Sequence, residues 1–337
     1  MSINFISQPT NLYSDWKAEL SQCVGSINEL LKLLGLNARD LNATEQAAID
    51  FPIKVPHSFI QMMEYGNPND PLLKQVLPIS SELAIDSNYS ADPVNESNYN
   101  PVPGIVHKYR KRLLMIISPN CAINCRYCFR RHFPYDENRQ SKQQWLSALD
   151  YLKSKKEINE VIYSGGDPLA ANDNFLKWLT AEIECISHIK RLRIHSRLPV
   201  VIPSRIDDSL INWLGNSKLK PTLVMHINHA NEISPQLSQG VDRLKQSGVS
   251  VLNQSVLLKG INDSSYQLIA LSEKLFDSGI MPYYLHMLDP VKGASHFDVS
   301  KKHAIEIFNQ IQNVLPGFLT PKLVQEKAGK LAKTLIL

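Results

Sequence analysis

Residues 113–128 read Leu-Leu-Met-Ile-Ile-Ser-Pro-Asn-Cys-Ala-Ile-Asn-Cys-Arg-Tyr-Cys, a short apolar run followed at once by three closely spaced cysteines. An apolar run that ends in a polar loop is typical of a strand buried in a parallel sheet. Five more apolar runs follow, and a segment with helical periodicity separates each from the next. Because helical crossovers usually join parallel strands, this alternation predicts an α/β fold with six successive βα units.

The predicted strands cover residues 113–118, 160–163, 192–195, 222–228, 249–257 and 283–288, with a candidate final strand at 319–325. The predicted helices cover residues 141–154, 174–186, 209–214, 236–246, 266–276 and 301–314. Six units fit a partly open (β/α)6 barrel better than a closed eight-stranded barrel, and an open doubly wound sheet is the alternative. Both architectures bind ligands at the carboxyl ends of the strands, where we expect the chemistry.

The chain of 337 residues is long enough for a barrel with an extension. Residues 1–103 show helical patterns and end in a polar crossing segment, 86–103, which predicts a mainly helical N-terminal extension. The barrel is expected to span residues 104–316, and residues 317–337 form a C-terminal segment.

The composition excludes several functional classes. A net charge of +4 is too small to favour binding to nucleic acid. The N-terminus lacks the pattern of a signal peptide, and no apolar stretch is long enough to cross a membrane. The five cysteines are odd in number and three fall within eight positions, which disfavours a disulfide framework. We therefore expect a cytoplasmic protein, with Cys23 and Cys185 as buried thiols on helices.

The three remaining cysteines, Cys121, Cys125 and Cys128, follow the first predicted strand of the barrel. Three thiolates can hold three irons of a 4Fe–4S cluster and leave the fourth iron open. The alternative is a structural zinc site, which needs four ligands and would have to recruit His132.

A glycine-rich segment, Ser164-Gly165-Gly166-Asp167-Pro168-Leu169, follows the second predicted strand. Two adjacent glycines let a ligand approach the backbone and expose N–H groups to an anion. Taken alone, the segment is also a common turn sequence.

With these two motifs, the chain resembles the radical S-adenosylmethionine (SAM) superfamily over residues 113–314. The resemblance implies a partial barrel and a cluster whose open iron binds SAM. It also implies that Ser164, Gly165, Gly166 and Asp167 contact the amino end of SAM. In that family, SAM is cleaved to a 5′-deoxyadenosyl radical that abstracts hydrogen from the substrate.

Longer segments resemble the lysine 2,3-aminomutase family. They are Lys-Tyr-Arg-Lys-Arg at 108–112, Cys-Phe-Arg-Arg-His-Phe at 128–133, Arg-Ile-His-Ser-Arg-Leu-Pro-Val-Val at 193–201, His-Ile-Asn-His-Ala-Asn-Glu at 226–232 and Asn-Gln-Ser-Val-Leu-Leu at 253–258. This resemblance implies a second cofactor, pyridoxal 5′-phosphate (PLP).

The family holds PLP on a lysine near the C-terminus, and Ala332-Lys333-Thr334 is similar to that site. Lys333 is therefore the candidate, with Lys327 and Lys330 as alternatives; the family's preceding glycine run is reduced here to Gly329. Arg112 and Arg197, with Tyr109 nearby, are candidates for binding PLP and its phosphate. The alternative for each arginine is a surface ion pair.

The resemblance assigns further residues to the substrate and to SAM. Arg130 would bind the carboxylate of lysine, because a planar guanidinium matches a carboxylate. Asp289 and Glu326 would bind its ε-ammonium group, although Asp289 precedes a proline and is also a candidate turn residue. His226 and Gln254 would contact SAM, and a hydrogen-bonded polar core is the alternative for both.

The function implied is conversion of L-α-lysine to β-lysine. Since no cysteine follows Cys185, the chain looks like the short bacterial branch that supplies (R)-β-lysine for elongation factor P. That branch implies a link to the ligase that attaches β-lysine, and an electron donor such as flavodoxin or ferredoxin. The alternatives are an aminomutase for another amino acid and a metal-stabilised, non-catalytic adaptor of the translation apparatus.

Overall fold

The computed structural model describes residues 15–138, 140–330 and 332–336. Its centre is a nine-stranded sheet whose strands follow one another in chain order. The strands are β1 (Ile105–Tyr109), β2 (Arg112–Ser118), β3 (Glu160–Gly165), β4 (Arg191–Ser196), β5 (Lys220–His226), β6 (Ser250–Val256), β7 (Met281–His286), β8 (Lys322–Gln325) and β9 (Thr334–Leu335).

The strand order identifies the sheet as a partial barrel. Strands β2 to β8 pair in parallel, and β1 and β9 each pair antiparallel at one end. A doubly wound sheet reverses its strand order near the middle, whereas this order never reverses. Within the described ranges the two end strands do not pair with each other, so the barrel stays open. The predicted partial barrel is confirmed, and the doubly wound alternative is wrong.

Helices surround the sheet and fill the N-terminal part. They are α1 (Trp16–Ser21), α2 (Ile27–Leu33), α3 (His57–Ile60), α4 (Lys142–Ser154), α5 (Asp173–Glu184), α6 (Leu198–Val201), α7 (Asp208–Gly215), α8 (Pro235–Gln246), α9 (Ser265–Asp277) and α10 (Lys301–Val314). Four crossover helices begin after a serine whose side chain accepts a hydrogen bond from the third N–H of the helix: Ser141, Ser234, Ser264 and Ser300. These caps satisfy backbone donors that would otherwise lack partners.

The six predicted βα units are all present, with bounds that differ by at most two residues. The candidate strand at 319–325 is shorter than expected, because a 3₁₀ turn occupies residues 317–319. Strands β1 and β9 and the short helix α6 were not predicted. Strand β9 has two residues and α6 has four, too few to show a periodicity.

The N-terminal extension shares its core with the barrel. Trp16, Leu30 and Phe59 belong to the same apolar cluster as Leu113 and Met115 of β2. The extension contains α1 to α3 and several 3₁₀ turns. The boundary at residue 103 stays a prediction. In the part of the chain that the structure describes, no helix is long and apolar enough to cross a membrane.

The two other cysteines differ from each other. Cys23 is partly buried, and burial raises the pKa of its thiol to about 11. Cys185 is exposed, so the expectation that it is buried is wrong. It follows the last turn of α5, whose buried face is formed by Leu176, Leu179 and Ile183, and it lies off that face.

Candidate active site

A cavity of about 600 Å³ lies inside the partial barrel. Strands β1 to β7, the cysteine loop (residues 119–128) and the segment between β8 and β9 all contribute to its walls. Every residue predicted for the site lines it: Cys121, Cys125, Cys128, Ser164, Gly165, Gly166, Asp167, Tyr109, Arg112, Arg130, Arg197, His226, Gln254, Asp289, Glu326 and Lys333. The structure therefore brings the whole predicted set into one space, while the role of each residue stays a prediction.

The cavity extends further than the carboxyl ends of the strands. Ser164 and His226 lie at those ends, as expected. Arg112 and Glu160 lie at the beginnings of β2 and β3, and both also line the cavity. The cavity therefore runs along the interior of the barrel, and the predicted site residues are not confined to one end of the strands.

The cysteine loop is tied to the N-terminal extension. Arg126 is fully buried and its guanidinium donates to both carboxylate oxygens of Glu82, with the shortest contact at 2.6 Å. Lys54 donates through its ε-amine to the carbonyl oxygen of Cys121 at 2.8 Å. These contacts fix the loop that carries the three thiols.

The three thiols suit a cluster better than a single ion. Burial, together with the neighbouring cysteines, raises the pKa of Cys128 to about 11 and that of Cys121 well above its usual range. Ionising several buried thiols together therefore requires a positively charged centre between them. Among the described residues, no group of three or more His, Cys, Asp or Glu side chains is arranged around one metal ion. His132, the fourth ligand that zinc would need, does not line the cavity and contacts the carbonyl of Lys292 instead.

The glycine-rich segment packs against the end of β2 and the cysteine loop. Gly166 donates its N–H to the carbonyl of Ser118 and Asp167 donates to the carbonyl of Asn120, each at 2.7 Å. A Cβ on Gly166 would lie 2.6 Å from the carbonyl oxygen of Pro119. These glycines therefore permit β3 to pack against the cysteine loop. The N–H of Gly166 is not free to bind an anion, because the carbonyl of Ser118 accepts it. Contact of the segment with SAM stays a prediction.

The carboxylate of Asp167 also has protein partners. It accepts hydrogen bonds from the Ser196 hydroxyl at 2.7 Å and from the backbone N–H groups of Arg197 and Leu198, each at 2.8 Å. Burial raises its pKa, and these hydrogen bonds oppose the rise. Asp167 thus joins the end of β3 to the end of β4, whatever it contacts in SAM.

Arg197 lies beside the cysteines and not beside Lys333. Its Nη1 lies 2.7 Å from the Sγ of Cys125, and its Nη2 donates to Glu232 at 2.9 Å and to Gln75 at 2.7 Å. Its guanidinium is buried and its terminal nitrogens are occupied by these contacts. The structure does not support Arg197 as a partner of the PLP phosphate, because it does not place this side chain with the other PLP candidates.

The remaining PLP candidates surround Lys333. Its ε-amine lies 3.3 Å from Oε2 of Glu326, and the Tyr109 hydroxyl donates to Oε1 of the same carboxylate at 2.6 Å. The guanidinium of Arg112 stacks on the Tyr109 ring, 3.9 Å from its centroid. Lys108 adds an ion pair with Glu326 at 3.0 Å. Arg112, Tyr109 and Lys333 thus form one connected group.

Lys333 is the lysine that the structure favours. It lines the cavity, whereas Lys327 and Lys330 are exposed and do not. Burial lowers the pKa of Lys333 although the carboxylates of Glu326 and Asp289 oppose this. A lower pKa increases the neutral fraction of the amine, which is the nucleophilic form.

Asp289 is a buried carboxylate with an oxygen that lacks a partner. Its Oδ1 makes no hydrogen bond, and burial raises its pKa to about 7 although Lys333 opposes the rise. Glu326 behaves differently: burial would raise its pKa, but Lys333, Tyr109 and Lys108 bring it below the usual value. A buried carboxylate oxygen without a partner costs free energy that a cationic ligand would recover.

Three neutral histidines line the same space. His226 accepts a hydrogen bond from the Gln254 side chain at 2.9 Å, and burial lowers its pKa to about 3. Burial also lowers the pKa of His195 and His286 well below the usual range, and the Nε2 atom of each has no partner. Because these ring nitrogens and Asp289 Oδ1 are buried and unsatisfied, the cavity is suited to a polar ligand.

Comparison with known proteins agrees with this geometry. The model of the radical SAM superfamily matches residues 115–271. The L-lysine 2,3-aminomutases of Escherichia coli and Haemophilus influenzae are each 49% identical over 321 residues, which cover 95% of this chain and 94% and 95% of theirs. The L-lysine 2,3-aminomutase of Clostridium subterminale is 32% identical over 96% of this chain and 77% of its own length.

The chain belongs to the L-lysine 2,3-aminomutase family. Among solved structures, a radical SAM methyltransferase from Sphaerobacter thermophilus covers 66% of this chain and 68% of its own, with 15% identity and a TM-score of 0.44. A similarity of that size adds nothing to the assignment.

L-lysine 2,3-aminomutases are radical SAM isomerases, and the family implies three cofactors: a 4Fe–4S cluster, SAM and PLP. The residues of this chain fit them. Three thiols and a half-buried lysine line the cavity, together with several unsatisfied polar atoms. The cofactors predicted from the sequence therefore agree with both the family and the cavity.

Several residues that line the cavity were not predicted from the sequence. They are Glu96, Lys108, Glu160, Arg193, His195, Tyr284 and His286. Arg193 and His195 lie two positions apart on β4. Because alternate residues of a strand face the same side, this spacing could have indicated that both face the interior. Glu96 begins a four-residue 3₁₀ helix, which is too short to show a periodic pattern in the sequence.

Proposed function

We propose that this protein converts L-α-lysine to β-lysine by moving the α-nitrogen from C2 to C3. The observation that supports this most strongly is the pair of carboxylates next to Lys333. Asp289 and Glu326 lie in the cavity that the cluster cysteines also line. An amino acid with a cationic side chain satisfies the unpartnered oxygen of Asp289, whereas the side chain of glutamate would add a negative charge beside it.

The residues that would hold each cofactor can be assigned on this basis. Cys121, Cys125 and Cys128 would bind three irons, and Lys333 would bind PLP through its ε-amine. When bound, the cluster with SAM supplies a hydrogen-abstracting radical, and PLP supplies a conjugated ring that delocalises an unpaired electron.

We assign Arg112 and Arg193 to the PLP phosphate. Arg112 is kept from the sequence prediction, and Arg193 replaces Arg197. Arg193 lines the cavity and is close enough to Lys333 to influence its pKa. It donates to Glu160 at 3.0 Å, and its Nε is buried without a partner. A phosphate oxygen would satisfy that donor.

The substrate would be bound at both ends. Arg130 would donate hydrogen bonds to its carboxylate, and Asp289 would accept them from its ε-ammonium group. A cation beside Asp289 favours the ionised carboxylate, so binding of the substrate would reverse the raised pKa.

The experiment is an anaerobic assay of the reconstituted protein with iron, sulfide, PLP, SAM, dithionite and L-lysine, with chiral mass spectrometry of the products. We expect β-lysine from the wild type and from the exposed-site control K330A, and none from K333A. If K330A is inactive and K333A is active, the lysine assignment is wrong. If SAM is cleaved but lysine is unchanged, the substrate assignment is wrong.

An aminomutase for another amino acid is the second candidate. Parallel assays with L-arginine and L-glutamate distinguish the two, since D289N and E326Q should lower activity on lysine selectively. If these variants lose activity equally on every substrate, the two carboxylates do not determine specificity for lysine.

We further propose that the product is (R)-β-lysine and that it is used in the cytoplasm to modify elongation factor P. A ligase would attach the β-lysine to the factor. Flavodoxin or ferredoxin would reduce the cluster. The support is the similarity to the short bacterial branch, since the chain matches the E. coli relative over 94% of its length. Mass spectrometry of elongation factor P from a deletion strain tests this: unmodified factor is expected, and persistent β-lysylation would contradict it.

A further inference from the structure

Arg130 is held by two side chains from different parts of the fold. Its Nε donates to Oε2 of Glu96 and its Nη2 donates to Oε1, both at 2.7 Å, so the pair is bidentate. Its Nη1 donates to the hydroxyl of Ser164 at 2.8 Å. The guanidinium is 6% exposed and Glu96 is 8% exposed, so solvent competes little with these bonds.

The donors that remain match a carboxylate. A guanidinium has five N–H groups, and these three short bonds use three of them. One N–H remains on Nη1 and one on Nη2, and the longer contact from Nη1 to the carbonyl of Gly165 is 3.4 Å. Two N–H groups on the terminal nitrogens are the pair that a carboxylate accepts in an end-on bidentate geometry.

We infer that Glu96 is a positioning residue, which orients Arg130 so that its two terminal N–H groups bind the substrate carboxylate. This role rests on the proposed function, because it needs an amino acid substrate. Glu96 acts through Arg130 and contacts no reacting atom. It comes from the N-terminal extension, which thereby contributes to substrate recognition.

The backbone around Glu96 is anchored independently of its carboxylate. The N–H of Glu96 donates to the Asp92 side chain at 2.9 Å. Nearby, Ser90 forms a bridge with the loop after Asp289: its N–H donates to the carbonyl of Pro290, and the N–H of Lys292 donates back, each at 2.9 Å. Neutralising Glu96 should therefore release Arg130 without releasing the segment.

A competing role makes the opposite prediction. If Glu96 only occupied the site of the substrate carboxylate, its removal would free Arg130 and strengthen binding of lysine. If Glu96 positions Arg130, its removal lets the guanidinium rotate and weakens binding of carboxylates in particular. The sign of the change in affinity therefore decides between the two.

The test compares L-lysine with L-lysinamide, which has the same side chain and α-amine but no carboxylate. Binding of both to the PLP-loaded protein is followed by the change in PLP absorbance, and KM and kcat are measured for L-lysine. In E96Q, which is nearly isosteric, we expect the affinity for L-lysine to fall about tenfold, while that for L-lysinamide changes less than about twofold. KM should rise more than kcat falls.

The matched control is D173N, which breaks a buried pair between Asp173 and Arg205 at 2.6 Å outside the cavity. It should leave the ratio of the two affinities unchanged. E96A provides a second variant with the same expected ratio, and E96Q retains the test if E96A fails to fold.

Four results would overturn the inference. If E96Q loses affinity equally for L-lysine and L-lysinamide, Glu96 has a structural role only. If E96Q gains affinity for L-lysine, Glu96 competes with the substrate carboxylate for Arg130. If the wild type itself does not distinguish L-lysine from L-lysinamide, Arg130 is not a carboxylate site and the proposed function fails with it. If both the wild type and E96Q bind L-lysine more tightly than L-lysinamide by the same ratio, only the role of Glu96 is refuted.

Discussion

The Nη1 of Arg197 lies 2.7 Å from the Sγ of Cys125, and its Nη2 lies 2.9 Å from Oε2 of Glu232. This arginine is therefore part of the surroundings of the cysteines. Arg193 is four residues earlier, within β4, and lies near Lys333 instead. Two arginines four residues apart thus line different parts of the cavity.

Substitution of each arginine should affect a different cofactor. We expect R193Q to weaken PLP affinity about tenfold, because one charge-assisted hydrogen bond to the phosphate is lost. R197Q should leave PLP affinity nearly unchanged and alter the electron paramagnetic resonance spectrum or iron content of the reconstituted cluster. Titration of PLP absorbance and iron analysis measure the two effects. Loss of PLP affinity in R197Q alone would contradict this division.

A methyl group at Gly166 should disturb the cysteine loop. The added Cβ would lie 2.6 Å from the carbonyl oxygen of Pro119 and 2.8 Å from that of Asn120, closer than Cβ contacts normally allow. We expect G166A to retain less iron after reconstitution and to unfold at a lower temperature. G317A is the control, because nothing lies within 4 Å of a Cβ there. Iron retention equal to that of G317A would refute the packing role.

Asp289 should make the ligand-free protein less stable as pH rises. Burial raises its folded-state pKa to about 7, so between its usual pKa and pH 7 the native state binds more protons than the unfolded state. Stability from this group therefore decreases across that range, and a buried carboxylate charge persists above it.

The D289N variant removes that charge. We expect a melting temperature several degrees above that of the wild-type apoprotein at pH 8, and little difference near pH 4. D173N, which breaks the ion pair with Arg205, should instead lower the melting temperature. If D289N is destabilising at pH 8, the carboxylate is not isolated as described.

Glu82 should be important for stability. It pairs with Arg126 at 2.6 Å and with Arg131 at 3.0 Å, and all three side chains are at most 4% exposed. E82Q would leave two buried guanidinium groups without their counter-charge, which costs about 3–5 kcal/mol when a buried pair is broken. Chemical denaturation of the apoprotein measures the change. The exposed pair of Lys153 and Asp150 provides the control D150N, for which no measurable change is expected.

The sequence predicted those parts of the fold and site that follow local patterns. Six βα units could be predicted because apolar runs and helical periodicity mark each one, and the cysteine spacing indicated the cluster loop. The glycine-rich segment was correctly located, but its backbone donors bond to the cysteine loop, which only the packing of β3 reveals.

Long-range pairs could not be predicted in this way. Glu96 and Arg130 are 34 positions apart, and Gln75 and Arg197 are 122 positions apart. No periodicity connects such residues, because the partners come from an irregular segment and from a loop. The contacts of Arg197 and of Glu96 were not predicted for this common reason.

The most direct measurement supplies the reconstituted protein with L-lysine that carries ¹⁵N at the α-position, under anaerobic conditions with SAM, PLP and dithionite. The account predicts β-lysine with the ¹⁵N on C3, formed by the wild type and absent when Lys333 is replaced by alanine. Cleavage of SAM with recovery of unchanged α-labelled lysine would contradict it.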